Sequence, residues 1–327
     1  MIGIGYQIGS RESQRRWFEY VASYRAPSLR TAVKQSTSLS ILNCYSVGIL
    51  TLPMEFIPFY LFGIYAFIFG VIIGSFLNVY IYRFHTGKSL SGSSHCLSCA
   101  TLLRWYELFP LLSYLGLGGR CRTCGARIPS RYFWVELITG LLFVAVISTS
   151  SSVLLWPINL FLMSVLVVVA VYDFYHFVIP DEFVYTLSAL AIILAGLEWY
   201  NTHDWMSLAW SALATLLAFS FFASLWAYSK GRWLGFGDAK LAIPLGFMVG
   251  IGGVFSMLVL AFWIGTIISI GIIAGQKIAI RGQLHLRFMA TPLTIKSEVP
   301  FAPFLILGFL AVYLFDIDVL QLFAYVF

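Results

Sequence analysis

The sequence predicts an all-α polytopic membrane protein with about eight transmembrane helices and a small cytoplasmic zinc-binding insertion. Of the 327 residues, 60% are hydrophobic and only 10% are charged, whereas soluble domains carry about 25% charged residues. The mean hydropathy of +0.88 agrees with this composition. Apolar runs of about 20 residues, the length that crosses a bilayer, recur along the chain. The composition therefore excludes a soluble enzyme, a disordered protein and a small disulfide scaffold.

The predicted spans are apolar runs bounded by polar, glycine or proline residues. They are placed at 57–82, 132–149, 155–172, 183–200, 206–228, 239–253, 255–275 and 299–315. This arrangement divides the chain into a first transmembrane segment at 54–82, an insertion at 83–131 and a membrane domain at 132–327.

Basic residues indicate which side of the membrane each loop faces. The loops 83–131, 229–238 and 276–298 share one side and hold nearly all Lys and Arg residues that follow the first predicted span. The opposite connections contain neither residue type. Because basic loops are retained in the cytoplasm, these three loops are assigned to the cytoplasmic side.

Residues 1–53 do not fit this topology. They contain six basic residues between Arg11 and Lys34, although the number of crossings places them outside. The segment lacks a strong span, and Met54 directly precedes the first apolar run. We expect residues 1–53 to be a disordered tail or the result of a start site assigned too far upstream, with the working chain beginning near Met54.

Two Cys-x-x-Cys pairs in the insertion predict a metal site. Cys96 and Cys99 are followed, after 21 residues, by Cys121 and Cys124. Two such pairs supply four thiolates for one structural zinc ion, and Gly125 allows the chain to turn beneath the sulfurs. An iron site with the same sulfurs and a pair of disulfides are the alternatives, although a cytoplasmic face disfavours disulfides.

Two aspartates are predicted to meet at the cytoplasmic ends of spans. Asp173 ends the third span and Asp238 begins the sixth, with two membrane crossings between them. Ionisable groups at this depth are costly and usually functional. Two carboxyl groups in one site share a proton, an arrangement that activates water against a peptide carbonyl. Gly235 and Gly237 allow a peptide to approach closely. The alternative is that the aspartates are helix caps or solvated loop residues.

An ordered set of motifs resembles the type IV prepilin peptidases, which are bacterial membrane aspartyl proteases of the GxGD type. The motifs are residues 74–79 with Arg83, the four cysteines, 111–114, 131–132 with 135–137, 173–181, 235–241 and 300–304. Leu108, Phe133 and Ala302 depart from the family, which usually has Asn, Pro and Gly at these positions.

The resemblance implies that Asp173 and Asp238 form the catalytic dyad of an aspartyl protease domain at 132–327. It implies cleavage of a short basic leader from prepilins or pilin-like secretion proteins, at the cytoplasmic face of the bacterial inner membrane. Because the four cysteines accompany the bifunctional form, N-methylation of the new N-terminus with S-adenosylmethionine is also expected. The expected partners are these precursor proteins and the lipid bilayer, with no nucleic acid.

Two further residues are candidates for supporting roles. Asp181 supports the dyad or caps the helix after Pro180, and Glu136 either holds the substrate amine or is structural. The residues leave two other functions open. One is a transporter whose intramembrane aspartates carry protons or cations, with the zinc domain as regulator. The other is a protease that acts on transmembrane segments in general.

Overall fold

A computed structural model describes residues 59–86, 92, 94–150, 152–281 and 299–326. The expectations for residues 1–53 and for a start near Met54 lie outside these residues, as does most of the predicted loop 276–298.

The described ranges are mostly helical, and they contain no β-strand beyond two isolated bridges in the insertion. Their α-helices are α1 (Phe59–Arg83), α2 (Leu112–Gly116), α3 (Arg131–Thr149), α4 (Trp156–His176), α5 (Asp181–Thr202), α6 (Trp205–Ser229), α7 (Phe236–Arg281), α8 (Ala302–Phe315) and α9 (Val319–Val326). Two short 3-10 helices lie at Trp105–Leu108 and Val153–Leu155.

The helices confirm the predicted fold class. Six of the described helices are long and apolar enough to cross a membrane: α1, α3, α4, α5, α6 and α7. Helix α7 is 46 residues long and is interrupted at Gly250, where φ is 65° and ψ is −176°. Its two halves correspond to the sixth and seventh predicted spans, and the 14-residue α8 corresponds to the eighth.

The boundary between the sixth and seventh spans was predicted too late in the sequence. It was placed at residue 254, whereas the helix breaks at Gly250. Glycine adopts a positive φ without the steric cost that a Cβ imposes, so the break occurs at this glycine and not at the apolar residue Val254.

Helix α1 packs against α3 through glycines. A Cβ placed on Gly74 would lie 2.7 Å from the Cα of Glu136, and one on Gly70 would lie 2.8 Å from the Cα of Gly140. Small residues at such crossings let two backbones approach closely. The crossing holds the C-terminal end of α1 beside the N-terminal end of α3, next to the cysteine-bearing insertion.

Helix α4 lies at the centre of the bundle. Leu162, Met163, Leu166 and Val169 have no exposed surface, and α4 contacts α1, α3, α5 and α8. Helix α7 packs on α6 and α8. The two candidate catalytic aspartates are carried by the central helix α4 and by α7, the longest of the described helices.

Candidate active site and metal centre

The structure brings Asp173 and Asp238 together. Asp173 lies in the last turn of α4 and Asp238 in the first turn of α7. Their exposed fractions are only 6% and 7%, and the two carboxyl groups are close enough to interact electrostatically. Two buried carboxyl groups that interact in this way can act on one substrate, one as an acid and the other as a base.

Helix N-termini surround this pair. The backbone N–H of Ala302, at the first residue of α8, forms a hydrogen bond with the carboxyl group of Asp173. Asp238 belongs to the first turn of α7. The N-terminal end of a helix carries partial positive charge and favours a carboxylate. The Oδ2 atom of Asp173 is buried and has no hydrogen-bond partner among the described residues, so it has capacity for a water molecule or a substrate.

The two glycines before Asp238 have different surroundings. A Cβ on Gly237 would lie 3.3 Å from the Cβ of Ile179, which is tighter than ordinary contact. A Cβ on Gly235 would meet the Oδ2 atom of Asp238 at 3.8 Å, an ordinary distance. A side chain at Gly237 would therefore press on Ile179 in the segment before α5, whereas Gly235 leaves space beside the carboxyl group.

Asp181 forms an ion pair with Lys240. Its Oδ1 and Oδ2 atoms lie 2.7 Å and 3.0 Å from the Lys240 Nζ. Asp181 is the first residue of α5, and Lys240 follows Asp238 by two residues on α7. The pair therefore joins the start of α5 to the helical turn that carries Asp238.

The four cysteines of the insertion converge. Their Sγ atoms all lie within 4.8 Å of one another, and the Cys96 and Cys124 sulfurs are 3.8 Å apart. Zinc–sulfur bonds of about 2.3 Å in a tetrahedron place two sulfurs about 3.8 Å apart. All four thiols are free. The cluster can therefore hold a metal ion such as zinc.

The two cysteine pairs have matching turns. The carbonyl of Cys96 accepts a hydrogen bond from the Ala100 N–H, and that of Cys121 accepts one from the Gly125 N–H, both at 2.9 Å. Gly125 has the positive φ of 69° that its proposed role requires, and Ala100 occupies the equivalent position with φ 55°. Sequence reasoning missed Ala100, because alanine gives no signal for a left-handed turn.

Hydrogen bonds in these turns favour the thiolate forms of Cys99 and Cys121, whereas burial and the neighbouring cysteine side chains raise the pKa of Cys124 to about 11. The side chain and backbone of Thr101 lower the pKa of Cys99 to about 6. Backbone N–H groups of Cys124 and Thr123 lower the pKa of Cys121. Because the thiolate and not the thiol is the metal ligand, these contacts prepare the site for a cation.

Glu136 has a structural contact as well as a place at a cavity. It is 7% exposed, and its Oε2 atom accepts a 2.8 Å hydrogen bond from the Leu111 N–H. Ser75 on α1 donates a second hydrogen bond to this carboxyl group. Leu111 has a φ of 57°, an unfavourable value for a branched residue. Glu136 therefore holds a strained part of the insertion against α1 and α3.

A cavity of about 740 Å³ lies between the insertion and the ends of α1 and α3. Its wall includes Glu136 and Ser75, the rings of Tyr82 and Tyr132, and the cysteines Cys96 and Cys121. Neither Asp173 nor Asp238 belongs to this wall. The insertion thus builds a second site, distinct from the aspartate pair.

Two contacts near the aspartate pair were not predicted. One is the Ala302 N–H, which the motif at 300–304 brings to Asp173; Pro303 at the start of α8 was the available signal, because proline favours the first turn of a helix. The other is Arg131, whose guanidinium lies over the rings of Tyr132 and Tyr175, at 5.2 Å and 5.1 Å from their centroids.

Two protein-family models match the chain. The Bacterial Peptidase A24 N-terminal domain matches residues 68–150, and the Type IV leader peptidase family matches residues 160–270. The first match contains the cysteine insertion with α3, and the second contains both aspartates.

Curated relatives resemble the chain over most of its length. A Prepilin leader peptidase/N-methyltransferase of Bacillus subtilis (strain 168) is 32% identical over 261 residues, which cover 78% of this chain and 95% of the relative. A protein of the same name from Myxococcus xanthus (strain DK1622) is 33% identical over 225 residues, which cover 67% of this chain and 65% of that relative, slightly less than two thirds of its length. One from Klebsiella pneumoniae is 31% identical over 58% of this chain and 86% of the relative. No solved structure matches the chain.

Proposed function

This chain belongs to the type IV leader peptidase family, and we propose that it cleaves the short basic leader from type IV prepilins or pilin-like secretion proteins. Asp173 and Asp238 are the proposed catalytic dyad. The observation that carries this assignment is the burial of two neighbouring carboxyl groups at the ends of α4 and α7, with one Asp173 oxygen still available to a ligand. The family match and the names of the relatives support the substrate class.

In the proposed reaction the dyad holds one proton. The ionised carboxylate takes a proton from a water molecule, whose oxygen attacks the carbonyl carbon of the scissile peptide. The protonated carboxyl group gives its proton to the carbonyl oxygen. When the carbon–nitrogen bond breaks, a proton returns from the dyad to the leaving amine, and the other carboxylate takes one from the hydroxyl groups of the intermediate. The helix N-termini at α7 and α8 stabilise the ionised member of the pair.

We place this chemistry at the cytoplasmic face of the bacterial inner membrane. The basic loops after α1 and after α6 support that orientation, because cytoplasmic loops are enriched in Lys and Arg. The cysteine insertion precedes the N-terminal end of α3, and Asp173 lies at the C-terminal end of α4. Because the two helices cross the membrane in opposite directions, these ends lie on the same side, which is the cytoplasmic side in this topology.

We propose in addition that the chain N-methylates the new N-terminus with S-adenosylmethionine, and that the four cysteines hold a structural zinc ion. The names of the relatives support the methylation. The converging sulfurs support the metal. The segment 83–131 then acts as the zinc-binding insertion, and 132–327 as the protease domain.

The dyad is tested by Asp173→Asn and Asp238→Asn in full-length protein purified in lipid. We expect each variant to cleave a pilin precursor at least about 10³-fold more slowly, because an amide can neither accept nor donate the transferred proton. Asp316→Asn is the matched control, since Asp316 is exposed at the C-cap of α8. Normal cleavage by either dyad variant would reject the assignment.

Methylation is tested in the same preparation. The precursor is incubated with isotope-labelled S-adenosylmethionine, and the mass of the product is measured. The mature protein should gain one labelled methyl group on its new N-terminus. A product that is cleaved but never methylated would restrict the function to the peptidase.

A further inference from the structure

Each carboxyl group of the aspartate pair accepts a hydrogen bond from the main chain at the start of a helix. The Ala302 N–H, at the first residue of α8, donates to Asp173. The Gly235 N–H, directly before α7, donates to Asp238. We propose that these two N–H groups are the positioning groups of the dyad, which hold each carboxyl group in the orientation that cleavage requires. This inference rests on the proposed peptidase function and names what orients its catalytic residues.

The segment from Gly235 to Asp238 forms one half of a capping box. Gly235 occupies the N-cap position of α7, and Asp238 is the third residue of the helix. In a capping box, the side chain at this third position bonds back to the N–H of the N-cap residue, as the Asp238 carboxyl group does. The Asp238 N–H donates to the Gly235 carbonyl at 3.3 Å. The carboxyl group is therefore tied to the first turn of its own helix.

Asp173 takes its donor from a distant segment of the chain. The first N–H groups of a helix have no acceptor within that helix, so the Ala302 N–H is available to a side chain. Ala302 has no exposed surface, and water therefore cannot take the place of Asp173. The position of α8 is fixed by a close crossing with α7, since a Cβ on Gly308 would lie 2.9 Å from the N atom of Ala261. Packing of α8 thus holds the donor beside Asp173.

These hydrogen bonds leave carboxyl oxygen atoms free for the reaction. The Asp173 side chain is 6% exposed, and its Oδ2 atom is buried without a partner among the described residues. A carboxylate has about four acceptor positions, so one donor can fix its orientation without filling them. A buried acceptor that lacks a partner is costly, and the water molecule of the proposed reaction would satisfy this atom.

The two positioning groups carry no net charge. A cation at the dyad would favour ionisation of both carboxyl groups, whereas the proposed reaction needs one of them protonated. Lys240 lies two residues beyond Asp238, but its Nζ is held by the two carboxylate oxygens of Asp181, at 2.7 Å and 3.0 Å. Main-chain N–H groups orient a carboxyl group without such a charge, and they do not titrate.

The role of each N–H group is tested by replacing a single amide bond with an ester. Full-length protein is made by cell-free translation into lipid nanodiscs, with lactic acid in place of Ala302 or glycolic acid in place of Gly235. Each replacement changes the N–H to an oxygen atom and keeps the side chain. We expect each to lower kcat for leader cleavage at least about tenfold, because a released carboxyl group leaves the reactive orientation. KM should stay within about threefold, because neither N–H group binds substrate in this proposal.

Phenyllactic acid in place of Phe304 is the matched control. The Phe304 N–H donates to the Phe301 carbonyl at 3.0 Å, so this ester removes a hydrogen bond from the first turn of α8 without removing a donor to the dyad. It should lower the unfolding midpoint at least as much as lactic acid at position 302, and it should leave kcat within about twofold. An equal loss of kcat in this control would show that the Ala302 N–H has only a structural role, and would overturn the proposal.

Failure of this inference and failure of the proposed function have different signatures. A normal kcat in either ester variant would overturn the positioning role for the aspartate that its N–H contacts, while the dyad itself would stand. A wild-type protein that does not cleave a pilin precursor under the same conditions would reject the peptidase function.

Discussion

The two glycines of the Gly235-Phe-Gly237-Asp238 motif should respond differently to alanine. In Gly237→Ala the new methyl group would lie 3.3–3.4 Å from three carbon atoms of Ile179, so the neighbour has to move by a few tenths of an ångström. In Gly235→Ala the nearest atom is the Asp238 Oδ2 at 3.8 Å. Neither glycine has a positive φ, so the comparison isolates packing.

The expected magnitudes follow from these distances. Overpacking costs about 1–3 kcal/mol, and removing a glycine from the unfolded chain returns about 0.4–1 kcal/mol. Gly237→Ala should therefore lower the free energy of unfolding by about 1–2 kcal/mol, whereas Gly235→Ala should leave it unchanged or slightly higher. If an ångström of misplacement reduces the rate about 10²-fold, a shift of a few tenths of an ångström at Asp238 reduces kcat about fourfold.

Both quantities can be measured on the same lipid-reconstituted protein. The unfolding midpoint reports stability, and a time course of leader cleavage reports kcat and KM. Gly235→Ala serves as the matched control for the added methyl group, and a rise in its KM alone would show that substrate approaches the open space at Gly235. A stable, fully active Gly237→Ala variant beside a destabilised Gly235→Ala variant would refute the packing argument.

Three further expectations concern the metal centre and the ion pair. Leader cleavage should survive a chelator added to folded protein, because the proposed zinc ion has a structural role; rapid loss of cleavage with the helices intact would contradict this role. Ala100→Gly should raise the affinity for zinc, since relief of a left-handed alanine is worth about 1 kcal/mol, and Gly125→Ala should lower it by a similar amount in competition with a chelating dye; the reverse order would argue against matched turns. Lys240→Met should lower the free energy of unfolding by no more than about 1 kcal/mol, and by less in high salt, because the ion pair with Asp181 is partly exposed. A larger loss that does not depend on salt would indicate that the ion pair does more than join two helices.

The sequence predicted the features that depend on membrane crossings and on local spacing. An even number of spans between Asp173 and Asp238 required both residues to lie on one side of the membrane. A buried carboxyl group at that depth then has few places to lie other than the interior of the helical bundle. The clustering of the four cysteines could likewise be predicted without knowledge of the tertiary structure, because both Cys-x-x-Cys pairs lie within one short insertion. The break at Gly250 was misplaced by four residues, because several glycines in this region could each have ended a helix.

Features that depend on how distant helices pack were beyond the sequence. The N–H of Ala302 reaches Asp173 only because α8 begins beside the end of α4, and backbone atoms leave no sign in composition. The anchor between Glu136 and Leu111 depends on a positive φ at a leucine, which no propensity favours. The cavity lies between three separate segments of the chain, and no feature of their sequences predicts a cavity.

Only three charged side chains are buried in the described part of the chain, and their neighbours separate their roles. Asp173 and Asp238 are close enough to interact electrostatically, so they can act as base and acid in one reaction. Glu136 stands alone with two donors from the protein, Leu111 and Ser75. A single carboxylate fixed in this way lacks a partner acid for peptide hydrolysis, but it is suited to hold one cation. The surroundings of the three groups are therefore consistent with the proposed roles, which are hydrolysis for the pair and amine binding for Glu136.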